Sequence, residues 1–358
     1  MKKMFNNSSE ISAIEAKDIA QQWAFAPVFF QTIVCLRKTG IFTKLIGHRK
    51  GYSLEELAKL TEVSDYGVKV LMEAALTAGF VTEDEGVYKI TKVGYFLAND
   101  PMTDANINFV NDVCYEGMHF LMDSITEGKP KGLKKLGDWD TVYEGLSELE
   151  EPAKSSWLKF DHYYSDGSFE QALDFLASKG HKHIMDVGGN TGKFALAYTK
   201  RAEENIVTIV DLPGQIKMAK KNIGQHEQAA QVNYYTTNIL STESETPTDV
   251  DAVWMSQFLD CFSNDEIVFI LEKLKRNIPA GTPIYIMETF WDNQRYESAA
   301  YCLTGTSLYF TAIANGNSKM YHSVDFKETV NRAGFTIDEE FLLTKDSYHT
   351  ILCCTAVS

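Results

Sequence analysis

A change in hydrophobic spacing near His183 constrains the fold of this 358-residue chain more than any other feature. Beyond it, short apolar runs alternate with segments of helical spacing. The predicted strands are residues 184–187, 206–210, 252–255 and 284–287, and the predicted helices are 194–201, 216–223 and 266–276. Continuous apolar strands separated by helices indicate a parallel sheet covered on both faces. Residues 335–343 and 349–354 predict a hairpin through 344–347, which adds an antiparallel pair at the sheet edge.

The first hundred residues predict helices and one short hairpin. Pro27 is expected to start a long helix. Ser53 is predicted to cap a second helix with Glu56 as its capping-box partner, and Ser64 a third that stops at Gly79. Two short strands around an acidic glycine turn follow, at 80–81 and 87–90. A helix-turn-helix followed by such a hairpin predicts a winged helix.

The charge of this winged helix argues against DNA as its partner. Residues 53–80 carry five acidic side chains against two lysines, a net charge of −3, and the whole chain has a net charge of −15. Phosphates would repel a recognition helix of that sign. We therefore expect packing or dimerisation and no nucleic-acid partner, with a DNA-binding regulator as the alternative.

Length and composition predict a soluble protein of two domains with a helical link between them. The expected division is 1–100 for the winged helix, 101–168 for an aromatic-rich helical connector and 169–358 for the α/β domain. The six cysteines form no C-x-x-C pair and no histidines have zinc-ligand spacing, so we expect reduced thiols and no metal site. No signal peptide is apparent, and the apolar stretch 25–36 is too short to span a bilayer, which predicts a cytoplasmic protein without membrane contact.

The glycine-rich segment DVGGNTG, residues 186–192, lies between a predicted strand and a helix. Glycines there let the backbone approach a ligand at the end of the first strand. Asn190 and Lys193 break the dinucleotide fingerprint, and Phe194 breaks the P-loop pattern. Asp211 ends the second strand, where a carboxylate can accept both ribose hydroxyls of an adenosine. Asp186 and Asp211 around this turn therefore predict a nucleoside-containing ligand.

Over residues 14–354 the chain resembles the class I S-adenosylmethionine-dependent O-methyltransferases of the caffeate, hydroxyneurosporene and acetylserotonin type. The resemblance rests on DVGGNTG, on DLP at 211–213, on LDCFSNDE from Leu259, on RAGF at 332–335, and on the T-x-x-G-x-x-L that ends the winged helix at 91–97. It implies a Rossmann-like methyltransferase domain with a mostly parallel seven-stranded sheet and a C-terminal antiparallel hairpin. It also implies a mainly helical winged-helix dimerisation domain and a homodimer in which a partner helix lines each pocket.

The resemblance also assigns the cofactor, S-adenosyl-L-methionine, to particular residues. It places Asp186, Gly188 and Gly189 under the methionine part, Asp211 at the ribose and Leu212 against the adenine. The family's next acidic position falls on Asn238, followed by Ile239, and an asparagine carbonyl can still accept a hydrogen bond there. Ser256 stands where many plant members have lysine.

The catalytic positions depart from the family pattern. Where the family has a histidine base this chain has Asp260, whereas Glu288 retains one of the two supporting glutamates, and Met320 replaces the other. A carboxylate of ordinary pKa, about 4, is a weak base toward a phenol of pKa about 10 unless burial raises its pKa. Asp260 is therefore predicted either as a base or substrate-orienting group or as a cap for the helix after Ser263. His322 is a second base candidate, with a surface or structural role as the alternative.

By the same resemblance, Phe160, Tyr164 and Met320 line the substrate site. The predicted function is methyl transfer to a small aromatic molecule that bears a hydroxyl group. Two alternatives remain open: methylation of carbon on the same scaffold, and a degenerate protein that binds S-adenosylmethionine without catalysis.

Overall fold

The computed structural model describes residues 11–344 and 348–357 and divides into two compact units, Met1–Asn111 and Asp112–Ser358. The helices after residue 112 that were assigned to the connector are part of the second unit. The predicted turn at 345–347 lies outside the described residues.

The first unit is a winged helix. Its helices are α1 Ala13–Lys38, α2 Ile41–Gly47, α3 Leu54–Leu60, α4 Asp65–Thr77, α5 Lys92–Asn99 and α6 Pro101–Phe109. The wing is an antiparallel hairpin of β1 Val81–Asp84 and β2 Val87–Ile90. Ser53 and Glu56 form the predicted capping box of α3, and Ser64 caps α4. The hairpin and both caps confirm the local predictions.

The expected start of a helix at Pro27 is wrong. Pro27 lies inside α1, which begins at Ala13 with a capping box between Ser12 and Glu15. A proline inside a helix removes one hydrogen bond, and here a 26-residue helix runs through it. Because the helix extends beyond the apolar stretch 25–36 on both sides, α1 is the one helix among the described residues that is long and apolar enough to cross a membrane by length and composition.

The second unit is built on one seven-stranded sheet in the order β5-β4-β3-β6-β7-β9-β8. The strands are β3 His183–Val187, β4 Ile206–Asp211, β5 Val232–Thr236, β6 Ala252–Ser256, β7 Ile284–Glu288, β8 Phe335–Leu342 and β9 Thr350–Ala356. Neighbours from β5 to β7 are parallel, and β9 pairs antiparallel with both β7 and β8. This arrangement confirms the predicted fold class.

Helices cover both faces of this sheet. The α-helices of the second unit are α7 Leu121–Glu127, α8 Val142–Gly145, α9 Ala153–Asp166, α10 Phe169–Lys179, α11 Lys193–Thr199, α12 Pro213–Ile223, α13 Asn264–Asn277, α14 Glu297–Tyr309 and α15 Ser323–Arg332. On one face Trp254 of β6 stacks on Phe194 of α11, with ring centroids 4.9 Å apart. On the other face Ile267 and Leu271 of α13 are buried against the sheet. The central strands β3, β4, β6 and β7 are thus apolar on both sides, as the continuous apolar runs predicted.

Candidate active site

Polar side chains gather at the carboxyl ends of the parallel strands. Asp186 lies near the end of β3, and Asp211, Ser256 and Glu288 are the last residues of β4, β6 and β7. Because parallel strands end at the same sheet edge, the topology brings these residues together there. This is the edge at which open α/β sheets bind their ligands.

The turn after β3 requires glycine at two consecutive positions. Gly188 has a φ of 78°, and a Cβ at this residue would lie 2.2 Å from a ring carbon of Phe258. A Cβ at Gly189 would lie 2.8 Å from Oδ2 of Asp186. Both glycines therefore allow the turn to pack tightly against the strand end and against the segment that follows β6.

Asp211 is held by the backbone on both of its oxygens. Its Oδ2 accepts a hydrogen bond from the amide of Asn190 at 2.9 Å, and its Oδ1 accepts one from the amide of Leu212 at 2.7 Å. Burial raises the pKa of Asp211 to about 6, although these two bonds oppose the shift. Burial and the charge of Asp211 raise the pKa of Asp186 to about 7. Both carboxyl groups therefore lie beside the glycine turn, Asp186 from β3 and Asp211 from the end of β4.

Asp161 of α9 joins this cluster, although the sequence analysis assigned it no role. Its Oδ2 accepts a hydrogen bond from Nδ2 of Asn190 at 3.1 Å. Burial first, and then the charge of Asp260, raise its pKa to about 7. The sequence signal for Asp161 was its position directly after Phe160 in the FDHYYS segment. That segment lies on a helix, and Asp161 precedes Asn190 by 29 residues.

Glu288 and Asp260 form a second acidic pair beside β6 and β7. Oε1 of Glu288 accepts hydrogen bonds from the amides of Phe258, Leu259 and Asp260, at 3.1, 2.9 and 3.4 Å. Its Oε2 is buried and has no hydrogen-bond partner among the described residues. Burial and the charge of Asp260 raise the pKa of Glu288 well above its usual range. The pair therefore retains a proton more strongly than two separate carboxyl groups would.

Asp260 lies on a single 3-10 turn, Leu259–Cys261, and is buried. Burial raises its pKa to about 6, and the thiol of Cys261, which donates to its Oδ1 at 3.5 Å, opposes the shift. The buried hydroxyl of Tyr143 interacts electrostatically with both residues. Ser263 itself caps α13 in a capping box with Glu266, so the alternative role of Asp260 as that cap is wrong.

The comparisons with known families cover both units. A model of the Dimerisation2-like domain matches residues 17–88, and a model of the O-methyltransferase domain matches residues 150–336, which is more than half of the chain.

The chain belongs to the O-methyltransferase family.

Individual relatives are distant but span most of the chain. Des-methyl DIF-1 methyltransferase A of Dictyostelium discoideum is 23% identical over 82% of this chain and 82% of its own length. Demethylspheroidene O-methyltransferase of Rhodobacter capsulatus is 21% identical over 80% of this chain and 69% of its own length. Both relatives are named as methyltransferases, which agrees with the match to the O-methyltransferase domain.

Solved structures agree on the fold. Human N-acetylserotonin methyltransferase, solved with S-adenosylmethionine, has a TM-score of 0.68 at 14% identity and covers 98% of this chain and 100% of its own. An O-methyltransferase from neocarzinostatin biosynthesis, solved with S-adenosylmethionine and 2-hydroxy-5-methyl naphthoic acid, has a TM-score of 0.66 at 20% identity, covering 93% and 96%. At such identities the similarity shows the shared architecture.

The positions assigned to substrate by the family resemblance lie on two elements. Phe160 and Tyr164 are one turn apart on α9, with their rings in edge contact at 5.0 Å between centroids. Met320 is buried in the segment after α14, and its amide donates to Oγ of Ser307 at 3.0 Å. Their side chains are apolar or aromatic, as a pocket for a flat ligand requires.

The positions assigned to adenine lie on two loops. Leu212 precedes α12 and is half-buried. After β5, Asn238 is exposed and its Oδ1 accepts from the amide of Leu240 at 3.0 Å, whereas Ile239 is part of the hydrophobic core. The side-chain oxygen of Asn238 is therefore an acceptor in this loop, and in this structure it accepts a hydrogen bond within a local turn.

His322 has a structural role. Its Nδ1 accepts a hydrogen bond from the amide of Val324 at 3.2 Å and so caps α15, and its Nε2 lies 3.5 Å from a carboxylate oxygen of Asp292. This geometry favours the structural alternative over a role as the missing base.

Proposed function

We propose that the protein transfers a methyl group from S-adenosyl-L-methionine to a hydroxyl oxygen of a small aromatic molecule. In this proposal Asp260 and Glu288 are the catalytic carboxyl groups. The observation that carries it is their pairing at the strand ends, with Oε2 of Glu288 buried and without a partner among the described residues. A buried polar oxygen without a partner is costly, and a polar group on a ligand that hydrogen-bonds with it would remove that cost.

The cofactor fits the turn after β3. Buried oxygens of Asp186, Asn190 and Gln257 have no partner within the described protein. S-adenosylmethionine carries ribose hydroxyls and an ammonium group, which are the donors that such acceptors require. Asp186, Gly188 and Gly189 are proposed to hold its methionine part, Asp211 its ribose, and Leu212, Asn238, Ile239 and Ser256 the remaining contacts.

The carboxyl pair supports proton removal from a hydroxyl. When bound, S-adenosylmethionine supplies an electrophilic methyl group on a sulfonium sulfur, whose bond to carbon breaks as the bond from the acceptor oxygen forms. Within this pair, which retains one proton, the ionised carboxylate of Asp260 is proposed to take the hydroxyl proton. Because the pKa of Asp260 is raised to about 6, it is a stronger base than an ordinary aspartate and still favours an acidic phenol.

The aromatic substrate is supported by the positions that the family resemblance assigns to the pocket, since Phe160 and Tyr164 present rings and Met320 an apolar side chain.

A homodimer is supported by the dimerisation-domain match and by α1, which leaves Trp23 and Phe25 exposed within its unit. The acidic winged helix supports a partner other than nucleic acid. A cytoplasmic location is part of the proposal, supported by six cysteines that are all free thiols.

Calorimetry with S-adenosylmethionine and S-adenosylhomocysteine, followed by mass spectrometry of a panel of phenols, tests the proposal. We expect binding of both nucleosides and a mass gain of one methylene unit on an acidic phenol. Binding without transfer to any acceptor would support the degenerate alternative, and a product methylated on carbon would support the C-methyltransferase. No binding of either nucleoside would overturn the proposal.

A further inference from the structure

The 3-10 turn Leu259–Cys261, which carries Asp260, has little structure of its own. It is a single turn between β6 and α13. Its amide side is bound by Glu288, whose Oε1 accepts three consecutive backbone N–H groups. The position of Asp260 relative to Glu288 therefore depends on what holds the opposite, carbonyl side of the turn.

The carbonyl side is bound by two side chains from a segment 54 to 59 residues further along the chain. Nδ2 of Asn315 donates to the carbonyl of Cys261 at 2.5 Å, and the hydroxyl of Tyr321 donates to the carbonyl of Phe262 at 2.6 Å. Neither contact depends on the local sequence of the turn. The turn is thus held between β7 on one side and residues 315–321 on the other.

The amide group of Asn315 is itself fixed at its other end. Its Oδ1 accepts hydrogen bonds from Oγ of Ser318 at 2.9 Å and from the amides of Asn317 and Ser318 at 3.3 Å. Ser318 is buried. With its oxygen held by three donors, the nitrogen of Asn315 can point only toward the carbonyl of Cys261. An amide does not titrate, so this contact persists at every pH at which the protein is folded.

We propose that Asn315 is a positioning residue that sets the placement of Asp260 against Glu288, with Tyr321 as a second, weaker support. The inference rests on the proposed function, in which Asp260 and Glu288 share the work of the base. Small displacements of a catalytic group lower the rate strongly, because the reacting atoms must lie in line and at near-contact distance. The loss of the Asn315 contact frees the turn on its carbonyl side without removing a catalytic group.

The test compares Asn315→Asp, Asn315→Ala and Tyr321→Phe with the matched control Asn317→Ala. Asn315→Asp is isosteric and keeps the acceptor oxygen while removing the donor to Cys261. Asn317 is on the same segment and exposed, but its Nδ2 donates at 3.1 Å to Glu266 at the helix cap and not to the turn. The control therefore perturbs the segment and leaves both contacts to the turn intact.

Two measurements are made on each variant. The first is hydrogen exchange of the Leu259 and Asp260 amides in the cofactor-free protein, which reports the turn whether or not the protein is an enzyme. The second is kcat and KM as a function of pH for an accepted phenol. For Asn315→Asp and Asn315→Ala we expect faster exchange, a fall in kcat of roughly 10- to 100-fold and a shifted pH midpoint, with KM for S-adenosylmethionine within about twofold. Tyr321→Phe has a smaller effect of the same kind, and Asn317→Ala has none.

The inference is overturned if Asn315→Asp keeps the wild-type exchange rates and pH midpoint, or if Asn317→Ala changes both as much as Asn315→Ala does. Should Asn315→Ala fail to fold, the isosteric Asn315→Asp and Tyr321→Phe still decide the matter. If the Asn315 variants exchange faster but the wild type methylates no acceptor, the positioning of the turn is supported and the proposed function is refuted separately.

Discussion

Two acidic pairs lie on the same edge of the sheet and differ in how they are held. At β3 and β4, Asp211 accepts two backbone amides next to a glycine turn that matches the family motif, and Asp186 lies beneath it. At β6 and β7, Glu288 accepts three backbone amides of the turn that carries Asp260, where the resemblance has a histidine. In each pair backbone amides fix one carboxyl group. Oδ2 of Asp186 in the first pair and Oε2 of Glu288 in the second have no hydrogen-bond partner in the described part of the chain. The fold thus provides two similar acidic sites, and we assign cofactor binding to the first and chemistry to the second.

The sharpest separation of the two pairs is expected from Asp260→Asn. The amide cannot take a proton from the acceptor, so kcat should fall by roughly 10²- to 10⁴-fold. The affinity for S-adenosylmethionine, measured by calorimetry, should stay within about twofold. Unchanged turnover would remove Asp260 from the mechanism.

Asp211→Asn tests the first pair, and here we expect the reverse pattern: weaker cofactor binding with little change in kcat. Loss of the charge weakens the hydrogen bonds expected to the ribose hydroxyls, and the dissociation constant for S-adenosylmethionine should rise about 10- to 100-fold. The kcat at saturating cofactor should change by less than about threefold. A large loss of kcat at unchanged affinity would show that the two pairs have been assigned the wrong way round.

The pH dependence of the wild type sharpens the assignment of the second pair. A base must be deprotonated to act, and the pKa of Asp260 is raised to about 6. We expect kcat/KM to rise with pH, with a midpoint near that value, and to fall about tenfold for each pH unit below it. The control is cofactor affinity over the same range, and a pH-independent rate between about pH 5 and 8 would contradict a carboxyl base.

The smallest effect is expected on stability, from Asp186→Asn in the cofactor-free protein. The pKa of Asp186 is about 7 in the folded protein and 3.8 in its ordinary state. Between these two pH values the folded protein therefore binds more protons than the unfolded chain. Its contribution to stability is present below about pH 4 and is lost as the pH rises through about 7. Because the amide of the variant cannot ionise, the variant should melt about 2–4 °C higher than wild type at about pH 8. Equal melting temperatures at that pH would mean that this carboxyl group is not buried as described.

Much of the fold could be predicted because its signals are local. The caps at Ser53 and Ser64, the apolar runs of four parallel strands and the pattern of the C-terminal hairpin depend on residues near each other in sequence. β5 was not predicted, since Val232–Thr236 is not a continuous apolar run: Val232 is its one buried residue, and Asn233 and Thr236 are polar. Pro27 misled because the capping box of Ser12 and Glu15 already starts α1 upstream, and the helix continues through the proline.

Residue patterns predicted the candidate site where it lies at strand ends, and the family resemblance added Asp260 on its 3-10 turn. Asp186, Asp211 and Glu288 stand directly at or near the ends of apolar runs. Asp161 and Asn315 were missed, because they reach the site from α9 and from the segment after α14. No pattern of spacing relates them to the strands, since their contacts cross 29 and 54 residues of sequence.

By itself the sequence determined a parallel sheet with carboxylates and a glycine turn at its ligand-binding edge, since strand periodicity and residue order fix which side chains stand at strand ends. Tertiary structure decided how these carboxylates behave. It placed Glu288 under three amides of the Asp260 turn, and it brought Asn315 to the other side of that turn. It also removed both acids from water, which raised their pKa values. Burial and long-range contacts exist only in the folded chain, and the proposed role of Asp260 as a base depends on them.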